Sequence, residues 1–305
     1  ANLPAPTEPI VKERGAHHKI WERIVYEPNP YGTFTPKPHR VGELASGMHY
    51  QENGIWKEST ETIEIVGNHA AYRQGRYQVI FGANINSKEA IDVMMPNQKR
   101  MTSTPLGLAY YDTATGQSVM IATIKDSTGQ LIAENQLLYA DAFDGAGVRA
   151  DLRYTIKRSG LAQDVVVRSK LPEPKEYGLS NESSRLIVFT EFFLAPAPDV
   201  AQLTGRSKAL PVAENLSDHS IKFGTMQMAN GTAFLDVTGA KRVPVFKSWQ
   251  KTGDRTFLVE AVQYSDVKIS LSTLPAIASF GRQKKAPLSR GRTNDSFMAS
   301  IGKGH

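Results

Sequence analysis

Asp141, Asp144 and Asp151 flank Gly145 and Gly147, and carboxylate oxygens on a glycine-bearing loop are the ligands a calcium ion takes. Their spacing is not that of the EF-hand loop, which needs oxygens at alternate positions and a distal glutamate. The competing reading is that Asp144-Gly145 turns the chain and Asp151 lies on a solvent face. Trp56, Trp249 and Tyr110, with Tyr111 and Tyr139, are the aromatic candidates: flat rings suit the faces of pyranose sugars. Alternation along a strand puts Tyr110 and Tyr111 on opposite faces, so at most one is exposed, and core packing accounts for these rings more readily. His17 and His18 are adjacent, which on extended backbone points them apart and makes a shared metal hard to hold. His39, His49, His69 and His219 show no ligand spacing. There is no Gly-x-Ser-x-Gly elbow, His-Glu-x-x-His helix or phosphate-binding P-loop. The acid pairs Glu61/Glu64 and Asp141/Asp144 carry no mark of glycosidase carboxylates, whose separation is set in three dimensions. The residues thus name no catalytic group.

The elements that would position these side chains read as strands. Ala150 to Lys157 alternates apolar and polar at every position, the period of a half-buried antiparallel strand. Gln163 to Ser169 returns with Val165 and Val167 toward the core, after a turn near Arg158-Ser159-Gly160. That turn sets Arg153 opposite Asp164 as a cross-strand ion pair fixing register. Asn53-Gly54 between the alternating runs Gly47–Gln51 and Ile55–Ser59 is a strong hairpin signal. Thr62–Val66, Arg76–Phe81, Ala90–Met95, Leu106–Tyr111, Ser118–Lys125 and Gln130–Tyr139 continue the series. Leu186–Leu194 is strongly apolar, as a strand buried on both faces would be. Phe223–Met228, Ala233–Val237, Val243–Trp249 and Thr256–Tyr264 follow.

These patterns predict an all-β protein, an antiparallel β-sandwich with an extended N-terminal arm. The sandwich is either one large one or two tightly packed. Residues 1–40 form the arm. Pro4, Pro6, Pro9, Pro28, Pro30, Pro36 and Pro38 deny it regular structure over much of its length, with one short strand at Lys19–Tyr26. A first sandwich region spans 41–178, a second 179–278, and 279–305 is a basic flexible tail.

The chain has 305 residues, no cysteine and a net charge of +6. The absence of cysteine excludes disulfides, thiolate zinc and a cysteine nucleophile. Most of the excess charge lies between Arg282 and His305, where six basic residues face one acid. The body is therefore near neutral, and no nucleic-acid face is needed to explain the charge. No apolar run is long enough to span a bilayer as a helix. The small, proline-rich start ANLPAPTEP has the look of a mature exported chain.

Several segments resemble the amino-terminal region of exported bacterial proteins that carry Rhs/YD-type repeats, among them those of Verrucomicrobia. They are HYQENGIWKES, LGLAYYDTATGQSV, YADAFDGAGVRADLRYTIKRSGLAQDVVVRS, TEFF, FGTMQMANGTAF, VPVFKSW and RTFLVEAV, spread over residues 40 to 275. The resemblance implies a secreted or surface-associated all-β module that precedes a longer repetitive region, and it supplies no catalytic residues. The expected function is a non-enzymatic structural or interaction module, acting in adhesion or assembly. Its partner would be a neighbouring subunit or a downstream repeat region. The alternative is a carbohydrate-binding or polysaccharide-processing domain using Trp56, Trp249 and Tyr110. No cofactor is expected beyond calcium at Asp141, Asp144 and Asp151.

Overall fold

The computed structural model describes residues 2–202 and 218–277. The expected basic tail, 279–305, lies outside the described residues. Among the described residues every strand pairing is antiparallel. In order, the strands are β1 (Ile10–Gly15), β2 (His18–Pro28), β3 (Phe34–Leu44), β4 (His49–Glu52), β5 (Ile55–Glu58) and β6 (Glu64–Val66). Next come β7 (His69–Tyr72), β8 (Gln78–Phe81), β9 (Ile91–Met94), β10 (Arg100–Asp112), β11 (Ser118–Ile124) and β12 (Gly129–Ala133). Then follow β13 (Gln136–Tyr139), β14 (Phe143–Asp144), β15 (Ala150–Lys157), β16 (Gly160–Val167), β17 (Ser184–Leu194) and β18 (Asp199–Gln202). The last are β19 (His219–Phe223), β20 (Met226–Met228), β21 (Gly231–Ala233), β22 (Val243–Thr252) and β23 (Arg255–Gln263), with helix α1 (Tyr264–Ser272) behind them.

One large sheet runs β21-β22-β23-β17-β10-β9-β8-β7-β6, with β11 pairing on β10 beyond the end of β9. A four-stranded sheet, β12-β13-β15-β16, packs on it. Its alternating side chains Ala150, Leu152, Tyr154 and Ile156 join Phe81, Val79, Leu108, Tyr110 and Phe143 in the main core. β17 lies between β10 and β23. The strands after residue 179 therefore complete the sheet begun before it, which is the single-sandwich form of the two arrangements expected. β17 is buried on both faces because the large sheet carries a second apolar cluster on its other side, made by Ala109, Tyr111, Ile187, Phe189, Phe257, Val259 and Ala261. At the rim of that cluster Arg255 holds Glu191 through two bonds of 2.6 and 2.8 Å and lies over the Phe257 ring.

The register across β15 and β16 sets Arg153 against Asp164, with Nη2 3.1 Å from Oδ2. At the Asn53-Gly54 hairpin both turn residues have positive φ, 52° and 79°, the geometry that matches strand twist in a two-residue turn. Pro172 to Gly178, which interrupts the strands, contains a short 3-10 turn at Pro174–Tyr177.

The N-terminal expectation is corrected. Residues 10–44 are a three-stranded antiparallel sheet, β1-β2-β3, and not an arm with one short strand. The prolines fit because β3 is an edge strand. Pro36 and Pro38 stand opposite Tyr26 and Ile24, two residues apart, so both lack an N–H at positions facing away from β2. Asn29 organises the connection: its Oδ1 accepts the N–H groups of Tyr31 and Thr33, each at 3.1 Å. The run Gln130–Tyr139 is likewise two strands, β12 and β13, folded back on one another.

Candidate functional site

Strand alternation and register divide the N-terminal sheet into two unlike faces. From β2, one face takes Ile20, Glu22, Ile24 and Tyr26. The opposing positions of β3 add Phe34, Pro36, Pro38, Arg40 and Leu44, and β1 adds Ile10. The other face takes Lys19, Trp21, Arg23, Val25 and Glu27, with Lys37, His39, Val41 and Glu43 opposite. The first face also carries His18 and Glu13, bonded to each other at 2.9 Å, so its apolar side chains are divided by two polar clusters, and the second face is mostly charged.

In a closed sandwich the apolar face would lie inward. Here it does not. Among the described residues no apolar side chain before Met48 is buried, and β1, β2 and β3 pack chiefly on each other. Leu44 is 81% and Ile10 57% exposed. Glu22 is the one buried side chain of the face. It is held by Arg40 Nε at 2.8 Å and Lys12 Nζ at 3.2 Å, and the hydrogen bond from Arg40, then Lys12, keeps its carboxyl below the usual 4.5.

The sheet is fastened to the sandwich at one end. The β1–β2 turn is clasped by residues 45–49. Ala45 N–H donates to His17 O at 3.0 Å, and Gly47 N–H to His17 Nδ1 at 3.0 Å. Buried His49 bonds Gly15 O through Nδ1 at 2.8 Å. Lys19, lying over the Trp21 ring, reaches Glu58 of β5 at 2.6 Å and holds that carboxyl below 4.5. Gly47 itself passes against the β15–β16 turn so closely that a Cβ there would stand 2.1 Å from Arg158 O.

Acid should therefore loosen both the N-terminal sheet, through Glu22, and its attachment, through Glu58. Both carboxylates have lowered values in the folded state, so their contribution is complete above about pH 4.5 and is lost as pH falls through those lowered values. Amide protection factors of residues 10–44, measured by exchange between pH 6 and pH 3 (roughly the carboxylate range), should fall before those of β10 and β17. Equal loss in both regions would contradict this.

The residues singled out by type are dispersed. Tyr110 is fully buried. Its hydroxyl donates to Pro172 O at 2.9 Å, its ring meets Tyr264 edge-on at 5.5 Å, and burial pushes its phenol pKa upward. Trp249 is packed between Phe192 and Phe223, at 4.8 and 5.4 Å. Trp56 is half-buried on β5. These three share no face, so the stacking platform is not assembled. The calcium set is not assembled either. Asp141 bonds Lys125 Nζ at 2.7 Å, and Asp151 accepts Arg168 Nε at 2.6 Å and the Asp141 N–H at 2.8 Å. Asp144 lies exposed on β14, paired with β11. Cations already neutralise two of the three carboxylates. Among the described residues no three His, Asp or Glu side chains gather as a metal site.

The apolar face of the N-terminal sheet escaped the sequence reading, although its signal was present. His18 to Tyr26 alternates, and prolines two apart at 36 and 38 are admissible on an edge strand. No protein-family model, curated protein or solved structure matches this chain. No described helix is long and apolar enough to cross a membrane.

Proposed function

We propose that the chain is a non-enzymatic structural and interaction module of the cell surface or secreted space, in which the β-sandwich is the scaffold and the N-terminal sheet is the working surface. The observation that carries this reading is the presented apolar face. A sheet that leaves Ile10, Leu44 and the sides of Ile24, Tyr26 and Phe34 in water forgoes about 25 cal/mol for each Å² it does not bury. Apolar side chains left exposed together on one face, here between the Glu22 and Glu13–His18 clusters, mark an interaction site. The extracellular setting rests on the resemblance to exported repeat-bearing proteins.

The test is removal of residues 1–44. The sandwich should keep its cooperative thermal transition, because those residues contribute no apolar side chain to either core. Its assembly state or surface attachment should change. Loss of the transition would make the sheet part of the scaffold. An unchanged assembly state and attachment would remove its role as the working surface.

A further inference from the structure

We infer that the joint between the N-terminal sheet and the sandwich is a latch worked by protons. It is closed while His17 and His49 are uncharged, and proton uptake by the two rings opens it and frees the intact sheet. The latch works whatever the sheet binds.

Two of the side-chain links in the joint are imidazoles. His17 lies in the β1–β2 turn with a donor at each ring nitrogen. Gly47 N–H points at Nδ1 at 3.0 Å, and Arg76 Nη1, from the β7–β8 connection, stands 2.6 Å from Nε2. Neither donor can accept a hydrogen bond. An uncharged ring has one lone pair for the two of them, and an imidazolium has none. A proton on His17 therefore leaves N–H facing N–H at both nitrogens and sets a cation beside a guanidinium.

His49 begins β4 and is fully buried. Its Nδ1 donates to Gly15 O at 2.8 Å, so its Nε2 carries the lone pair. That atom is buried with no partner among the described residues. A proton there creates a charged donor with nothing to receive it, which burial penalises.

The charges around the two rings do not reverse this. Glu58 stands opposite His49 across β4 and β5 and would favour a cation there. Lys19 already holds that carboxylate at 2.6 Å, and Arg14 also acts on it. On the sandwich side of His17, Glu61 accepts the Arg158 N–H at 2.8 Å. On β1, Glu13 is taken by His18 at 2.9 Å.

The third side-chain link joins Lys19 to Glu58, whose side chain is 64% exposed, and an exposed pair adds little alone. Opening therefore comes in two stages. Between about pH 7.5 and about pH 5.5, where imidazoles titrate, the sheet swings loose with its ladder intact. In the carboxylate range below, the ladder itself weakens through Glu22.

The chain has no cysteine. Tyr31→Cys, at the far turn of the sheet, and Ile269→Cys, on α1, are both exposed positions and can carry a pair of spin labels. Double electron–electron resonance should give one narrow distance at about pH 7.5 and a broad distribution at about pH 5.5, reversibly. With two protons taken up, the open-to-closed ratio should rise by up to about a hundredfold per pH unit. Amide protection across β2 and β3 should hold over the same range. His17→Asn and His49→Asn place an amide oxygen and an amide N–H where the rings accept and donate, and neither titrates. Each should reduce the pH slope by about one proton, and the double variant should keep its narrow distance down to the carboxylate range. A wild-type distance that does not change between the two pH values overturns the latch. So does a broadening that survives in the double variant, or a loss of β2–β3 protection that accompanies it. Should the double variant already be broad at about pH 7.5, the wild type decides. Its His17 and His49 ring-proton resonances must titrate together with the distance, and titration apart from it overturns the latch.

Discussion

Replacing Gly47 with alanine should cost about 2–5 kcal/mol and release the N-terminal sheet from the sandwich. Gly47 has φ 68°, where a Cβ costs about 1–2 kcal/mol. The added atom would also stand 2.1 Å from the Arg158 carbonyl oxygen and 2.9 Å from its carbon. These are backbone atoms with no rotamer to change, so the 45–49 segment or the β15–β16 turn must move, which adds about 1–3 kcal/mol. Movement at Gly47 also pulls its N–H from His17 Nδ1 and disturbs the clasp on the β1–β2 turn. Gly32→Ala is the control, because Gly32 has a similar φ of 73° and nothing within 4 Å of its Cβ position. It should lose only the backbone part. Thermal denaturation of both variants, with exchange of residues 10–44, separates the two contributions. Equal losses in the two variants would show that the contact with Arg158 does not matter.

The double replacement Pro36→Val and Pro38→Val should make the chain associate through the edge of β3. Both positions face outward on the edge of β3, and valine restores N–H donors beside carbonyls already there. Valine also suits a strand better than proline, so the sheet itself should hold or gain stability. The new species should be strand-paired and should persist when Ile24→Glu is added, since it grows from the edge. Light scattering across concentration reads the effect. A double variant that stays no larger than the wild type would mean that something other than the prolines guards this edge.

The parts of the fold that could be read in advance were those where local pattern and burial agree. Asn53-Gly54 supplies the positive φ values its hairpin requires, and Arg153 meets Asp164 because a two-residue turn leaves only one register. β17 is apolar from Leu186 to Phe189 because apolar clusters lie on both sides of it. The same two-sided covering explains the tyrosines. Tyr110 and Tyr111 do point oppositely, but each enters a core, so neither offers a ring to a ligand.

Reading failed where tertiary context overrides pattern. Gln130–Tyr139 looks like one strand because Leu131 and Ile132 are apolar, yet both are exposed. The chain reverses at Glu134 and Asn135, whose carbonyl and side chain bond Ile63 and Ile156. Helix α1 has nine residues rich in serine and β-branched side chains, too short and too weak in propensity to show itself. For the candidate site, the aspartates failed because Lys125 and Arg168 approach them from elsewhere in the chain. The N-terminal sheet was hidden because proline reads as a breaker unless the strand is known to be an edge.

The pairing of β10 has a kinetic consequence. Its partner residues on β17 lie roughly seventy to ninety positions further along the chain, and contacts of such separation form slowly. The pairings within β1, β2 and β3 are between neighbours in sequence and close fast. As the chain is made, residues 10–44 are therefore complete long before the central sheet can zip. The N-terminal sheet therefore stands formed, with its exposed side chains in water, while the rest is still an open polymer.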